Sequence, residues 1–186
     1  MERREEILKA AYEILGQDGL EALHARSVAA RVGVNHALVH YYYRRRDDLL
    51  LAVADYLKAR FEADVAHFQK DAADASDRVE ANLIQCEAYC KPTSRLYRAW
   101  ASLFVAAQTS RTLRKSLLDF WSSWVGRIET EIDAGSKEKS LNAGSPFADP
   151  RLLLATLLGV GLIAHLAGES GDASRHLDSI EGSLLV

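Results

Sequence analysis

Apolar residues recur at helical spacing along almost the whole chain. Ile7, Ala10, Ala11, Ile14 and Leu15 predict a first helix over roughly 2–16, stopped by Asp18-Gly19. Val28, Ala29 and Val32 predict a short second helix ending at Gly33. Asn35 is placed to cap a third, His36–Tyr43. A fourth opens at the acidic pair Asp47-Asp48 and carries Leu50, Val53, Leu57, Phe61, Val65 and Phe68 on one stripe. Asp77 and Glu80 read as a capping pair for a fifth helix with the face Val79, Leu83, Cys86, Cys90, ended or kinked at Lys91-Pro92.

A sixth helix follows with Leu96, Trp100, Leu103 and Ala107 in phase. A seventh, over roughly 110–134, shows Leu113, Leu117, Trp121, Trp124, Ile128 and Ile132, with Gly135 as its expected stop. Residues 135–149 read as a loop. Asp149-Pro150 caps a helix over about 150–167 that is apolar nearly all round and so must be covered on several sides. Gly168 and Gly171 break it before a last helix over about 172–184. The expected fold is all-α, with about nine helices: a three-helix head and a larger helical body.

Composition adds bounds. At 186 residues the chain can build one substantial core or a small head on a larger body. Only three prolines occur, which suits long helices. The apolar run 152–168 is shorter than the ~20 residues of a membrane span and contains Thr156 and His165, so a buried helix is expected. With no apolar leader at the N-terminus, a cytoplasmic protein is expected, and two cysteines are not a disulfide framework there.

The net charge of −3 gives no global basic signature, but its distribution is uneven. Residues 22–46 hold Arg26, Arg31, Arg44, Arg45, Arg46, His24, His36 and His40 and no Asp or Glu, a patch suited to a polyanion. Two short helices joined by a tight turn at Gly33-Val34 form a helix-turn-helix, whose second helix fits a DNA major groove. By helical phase, Val39 and Tyr43 face inward, while His36 and His40 share another face.

The stretch 24–50, HARSVAARVGVNHALVHYYYRRRDDLL, resembles the TetR family of regulators. The resemblance rests on Val28-Ala29, Gly33-Val34-Asn35, Val39-His40-Tyr41-Tyr42-Tyr43 and Arg46-Asp47-Asp48-Leu49, and it covers about residues 7–50. It implies a DNA-binding domain over 1–46 and an effector-binding and dimerisation domain over 47–186. It places His36, Ala37 and Leu38 at the base-facing start of the recognition helix. Tyr42 and Arg46 take phosphate-contacting positions, and Arg26 is a further phosphate candidate. With His40 and Tyr41, these complete the DNA-facing set. His40 stands where the family usually has Tyr, and His24 where a Thr often caps the second helix, which leaves that cap open. A basic arm before the first helix is nearly absent, so minor-groove reading by an arm is not expected.

The same resemblance implies a repressor that binds palindromic operator DNA as a homodimer paired through helices 150–167 and 172–184. Release would follow binding of a small hydrophobic or aromatic effector in a cavity enclosed by helices four to seven. Candidate lining residues are Phe61, Phe68, Cys86, Tyr89, Cys90, Tyr97, Trp100, Phe104, Trp121 and Trp124. An aromatic cage for an organic cation is one form of such a cavity. Cys86 and Cys90 read as small core residues, with a thiol sensor as the sharper alternative. No cofactor, metal or catalytic residue is called for: the chain has no nucleophile elbow, zinc-protease motif or phosphate loop. An enzyme, or a helical interaction protein with a degenerate head, remain the competing readings.

Overall fold

The structure, a computed structural model, describes residues 3–91, 93–168 and 171–186. Among these, nine α-helices follow one another: α1 (Arg3–Gln17), α2 (Ala25–Val32), α3 (His36–Tyr42), α4 (Arg46–Phe68), α5 (Ala75–Cys90), α6 (Arg95–Ala107), α7 (Arg111–Glu138), α8 (Pro150–Ala167) and α9 (Gly171–Leu184). A single 3-10 turn, Pro146–Ala148, precedes α8. The all-helical reading of the apolar spacing holds. The expected stop at Pro92 and the stretch before the first helix, Met1-Glu2, lie outside the described residues.

Packing groups the chain into two compact units, one over Met1–Arg60 and Arg95–Asp119, the other over Phe61–Ser94 and Phe120–Val186. In the first, α1 packs on α2 and α6, and α2 on α3. Its core includes Ile7, Ile14, Leu15, Leu23, Val28, Val39, Val53, Leu57, Leu103 and Leu113, each almost fully buried. The crossing of α1 on α6 is close. A Cβ added at Gly16 would lie 2.7 Å from the Arg95 carbonyl oxygen. In the second unit α5 packs on α8 and α9 around Val65, Val79, Leu83, Trp124, Ile128, Leu153, Leu177 and Ile180.

Helix ends mostly follow the polar signals. Asn35 Oδ1 accepts from the Ala37 amide at 2.9 Å, and Asp149 Oδ1 accepts from the Arg151 amide at 2.8 Å with Pro150 behind it in the first turn. Gly33, at φ 73°, closes α2 in the left-handed region that a side chain disfavours.

Three local expectations are corrected. The fifth helix is capped by Asp74, whose Oδ1 accepts from the Asp77 amide, while Asp77 Oδ2 accepts from the Ala73 amide; Glu80 plays no part in that exchange. The acidic pair was read one turn too late, because Asp74, Asp77 and Glu80 share the same three-residue spacing. The seventh helix does not stop at Gly135 but runs to Glu138. Lys139 turns left-handed at φ 61°, and the Ser140 and Leu141 amides return to the Gly135 carbonyl at 2.9 and 3.1 Å. Gly135 serves packing instead: a Cβ there would meet Leu141 at 2.5 Å. The eighth helix is not covered on several sides within the chain. Leu152, Leu162, Ile163 and Leu166 are exposed, and only a third of this long apolar helix is buried.

Candidate nucleic-acid interface

The second helix begins with an unusual cap. The His24 imidazole Nδ1 accepts from the Ser27 amide at 3.0 Å, and Ser27 Oγ accepts from the His24 amide at 3.2 Å. This reciprocal pair is a capping box built with a ring nitrogen in place of a hydroxyl. The cap left open by the missing Thr is therefore made. Ser27 Oγ also donates to the Ala22 carbonyl at 2.6 Å, fixing the entry to α2.

The third helix is anchored through Val39 and Tyr43, 1 % and 5 % exposed. That fixes which face turns outward. His36, Ala37, His40 and Tyr41 are exposed, and Leu38 and Tyr42 are half-buried. Tyr41, at 77 % exposed, is the most open large side chain of the helix. The His36 and His40 rings meet edge to face at 6.3 Å, as two residues one turn apart should. Tyr41 and Tyr42 make a similar edge contact at 5.2 Å.

Beside this face lies a cleft of about 560 Å³ lined by His24, Arg26, His36, His40, Arg45 and Arg46 over a floor of Ala25, Val39, Tyr43 and Leu49. Three guanidiniums and three imidazoles meet there with no carboxylate in the lining. Such a concavity concentrates positive potential and suits the phosphates of a nucleic acid.

The cations are not equivalent. The Arg46 guanidinium is already committed: its Nε donates to the Leu23 carbonyl at 3.0 Å and its Nη2 donates to the Leu20 carbonyl. Arg45 is held by Asp48, whose carboxylate takes the Arg45 amide at 3.0 Å and its guanidinium at 3.2 Å. Arg31 turns away and pairs with Asp18 at 2.9 Å. Among the described residues, Arg26 and Arg44 make no ion pair or hydrogen bond through their guanidiniums, and both are exposed. The cleft thus adds His24 and Arg45 to Arg26, His36, His40 and Arg46, the residues picked from sequence that line it; Ala37, Leu38, Tyr41 and Tyr42 do not, and Arg44 is exposed outside it. The run Arg44–Arg46 directly after the recognition helix was the available signal for Arg45.

The ten residues picked for an effector site fall in both compact units. Tyr97, Trp100 and Phe104 belong to the first, where Trp100 and Phe104 stack at 6.1 Å. In the second, Phe61 is the hub of an aromatic cluster, 4.7 Å from Trp124, 5.8 Å from Tyr89 and Phe120, and 6.3 Å from Trp121. Phe120 is in phase with Leu113, Leu117 and Trp124, but Trp121 directly after it also fits that stripe and was taken in its place. Tyr89 donates its hydroxyl proton to Asp64 at 2.8 Å and accepts from the buried Gln85 at 2.9 Å. Arg127 lies over the Trp124 ring at 4.4 Å and pairs with Glu62 at 2.6 Å. Phe68 makes its ring contact with His67, and Cys90 packs with Ala164 and Ala173, so neither extends this cluster.

Residues 7–53, from α1 into the start of α4, match the model of the bacterial regulatory proteins of the tetR family. Over these residues the chain carries the TetR-family DNA-binding segment. It is similar to the transcriptional regulator BetI of Rhizobium meliloti, at 28 % identity over 119 residues, covering 62 % of this chain and 57 % of that protein. BetI of Brucella canis matches at 28 % over 115 residues, covering 62 % and 58 %. The chain thus spans somewhat over half the length of these relatives. Solved structures show the same fold nearly end to end. A TetR transcription regulator from Haloarcula marismortui superposes with a TM-score of 0.83 at 23 % identity, covering 98 % of each chain. A transcriptional regulator from Saccharomonospora viridis, solved in complex with choline, gives 0.82 at 22 %, covering 98 % and 97 %.

Within the matched residues, α2 and α3 form the helix-turn-helix. The family model ends at residue 53, so it covers the cation-lined cleft and none of the aromatic cluster around Phe61.

Proposed function

We propose that the protein is a transcriptional repressor that binds a palindromic operator as a homodimer and leaves it when a small organic ligand binds the helical body. The observation that carries the DNA half is the carboxylate-free cleft beside the exposed face of α3. His36, Ala37 and Leu38 read base edges at the start of the helix, with His40 and Tyr41 one turn on. Arg26, Tyr42 and Arg46 hold phosphates, joined by Arg44 and Arg45. Residues 1–46 serve DNA binding, and 47–186 serve effector binding and dimerisation, in a cytoplasmic protein without catalytic activity.

The dimer reading is supported by α8. Leu152, Ala155, Gly159, Leu162, Ile163 and Leu166 are all exposed and fall on one helical stripe. A stripe of this kind is normally covered by a partner. A second copy paired through α8 and α9 would present two recognition helices to half-sites about 34–36 Å apart.

The effector reading is supported by the aromatic cluster around Phe61 and by the BetI and choline-complex neighbours. Aromatic rings with a nearby carboxylate, here Asp64 on the Tyr89 hydroxyl, suit an organic cation, and choline is the first candidate. Such a ligand shifts operator affinity by its differential affinity for the two states of the dimer.

Selection of bound sequences from a random duplex pool tests the reading. The expected product is an inverted repeat, bound with strong salt dependence. A pool with no enriched sequence, at low ionic strength and with folded protein, removes it.

A further inference from the structure

Cys86 and Cys90 lie one turn apart on the buried side of α5, and the function proposed above uses neither. They form a pair: the interaction of the two thiols pushes the Cys86 thiol up and draws the Cys90 thiol down. Burial adds to the rise at Cys86. Cys90 is 1 % exposed, whereas Cys86 is half-buried and offers the way in. Against Cys90 pack Ala164 of α8 and Ala173 of α9, with Val160 beside them. The same three residues, with Asp172 and His176 at its edge and neither cysteine in its lining, bound a groove of about 130 Å³ between α8 and α9. A cavity of about 150 Å³ is known to accept benzene, so this groove is of the size of a small aryl or alkyl group.

The spacing selects the chemistry. Cβ atoms one turn apart on a helix are about 5–6 Å apart, but a disulfide needs about 3.5–4.5 Å. A direct S–S bond would therefore unwind α5, whereas a single atom bridging the two sulfurs would not. A zinc-type ion needs three or four ligands, and no group of three or more His, Cys, Asp or Glu is gathered among the described residues. A soft atom that is content with two thiolates and one organic substituent fits.

We propose that Cys86 and Cys90 form a dithiol site for monosubstituted trivalent arsenicals, with the substituent directed toward the α8–α9 groove. In the reaction with an arsine oxide, two S–H bonds and the As=O bond break and two As–S bonds form. The oxygen leaves as water with both thiol protons, and arsenic stays trivalent, so no oxidant or reductant is needed. The thiol pair stands on α5 and does not depend on the DNA reading, while the groove shares Gly159 and Ile163 with the α8 face proposed to pair in the dimer.

Titration of the full chain with phenylarsine oxide, and with methylarsonous acid as the smaller probe, tests this. Intact mass should rise by one arsenical per chain, both thiols should vanish from a thiol assay run in denaturant, and dimercaptopropanol but not an equal concentration of monothiol should reverse both changes. Cys86→Ser and Cys90→Ser should each lose monothiol-resistant capture, with circular dichroism confirming that the helices persist. Capture of either probe with these properties supports the site. It is overturned if both probes leave two titratable thiols, or if a folded single-Ser variant retains the adduct as the parent does.

Discussion

Arg46 reaches back across the helix-turn-helix to donate its Nε proton to the carbonyl oxygen of Leu23 at 3.0 Å. A second donation, from Nη2, goes to Leu20. The family resemblance gives this side chain a phosphate role, but its first task in the folded chain is to close the α1–α2 connection onto the start of α4. Arg46→Ala should therefore lower stability by about 1 kcal/mol through the loss of these bonds and weaken DNA binding at the same time. Arg26→Ala and Arg44→Ala should weaken binding to all duplexes and flatten the salt slope by about one unit each, with the unfolding midpoint unchanged. Urea unfolding alongside salt-series binding separates the two kinds of arginine. An Arg46→Ala protein as stable as the parent would show that its backbone bonds contribute nothing.

The His24 cap makes a distinct prediction. Replacing it with Ala removes the acceptor for the Ser27 amide and should cost about 1 kcal/mol, whereas Thr or Asn should restore most of it. Thermal unfolding of the three variants decides between a cap and a merely tolerated surface histidine, for which all three would match the parent.

Two glycines should resist substitution for reasons of space. Gly16→Ala drives its new methyl into the Arg95 backbone, which cannot step aside, so the α1–α6 crossing must open at a cost of about 1–3 kcal/mol. Gly135→Ala meets the Leu141 side chain, so pairing it with Leu141→Ala should recover part of the loss. A double-mutant cycle in urea measures that coupling, and strict additivity would contradict the packing role.

Glu131 sets a pH dependence. Burial raises its carboxyl above the ordinary value, opposed by hydrogen bonds from Gln69 at 3.3 Å and Asn82 at 3.1 Å and by the charges of Arg127 and Arg78. The native state then binds a proton more tightly than the unfolded chain. Its contribution is present in full below the unfolded value and is lost as pH rises through the folded one. Parent stability relative to Glu131→Gln should accordingly fall as pH rises across the carboxylate range. Denaturant midpoints at several pH values would show a parallel pair of curves if burial had no effect.

The exposed stripe of α8 should govern self-association. Ile163→Glu and Leu166→Glu place charges on an apolar face while leaving the buried Leu153 and Ala164 untouched. Sedimentation should find monomers of retained helicity that bind operator half-sites weakly. Unchanged assembly in both variants would put the contact elsewhere.

Most helices were legible because each needs only a stripe of apolar side chains and a polar stop, and both are local. Val39 and Tyr43 could be assigned to the core and His36 and His40 to the surface by phase alone, as the structure bears out. Errors came where two local signals competed. Gly135 has the form of a helix stop, yet the chain continued because Leu141 packs where a Cβ would stand. Asp74, Asp77 and Glu80 offer two overlapping capping pairs, and only the backbone geometry at Ala73 and Asp74 chose between them.

Helical periodicity, the acid-free run of arginines and histidines, and the motif around Gly33 were properties of the chain order, so they could be read without coordinates and sufficed for the helices and the family. What Arg46 holds, how an imidazole caps α2, and which apolar face of α8 is left bare depend on residues 20 or more positions apart or on side-chain direction. Those follow from how helices settle against one another, a competition for space and hydrogen-bond partners that no local pattern encodes.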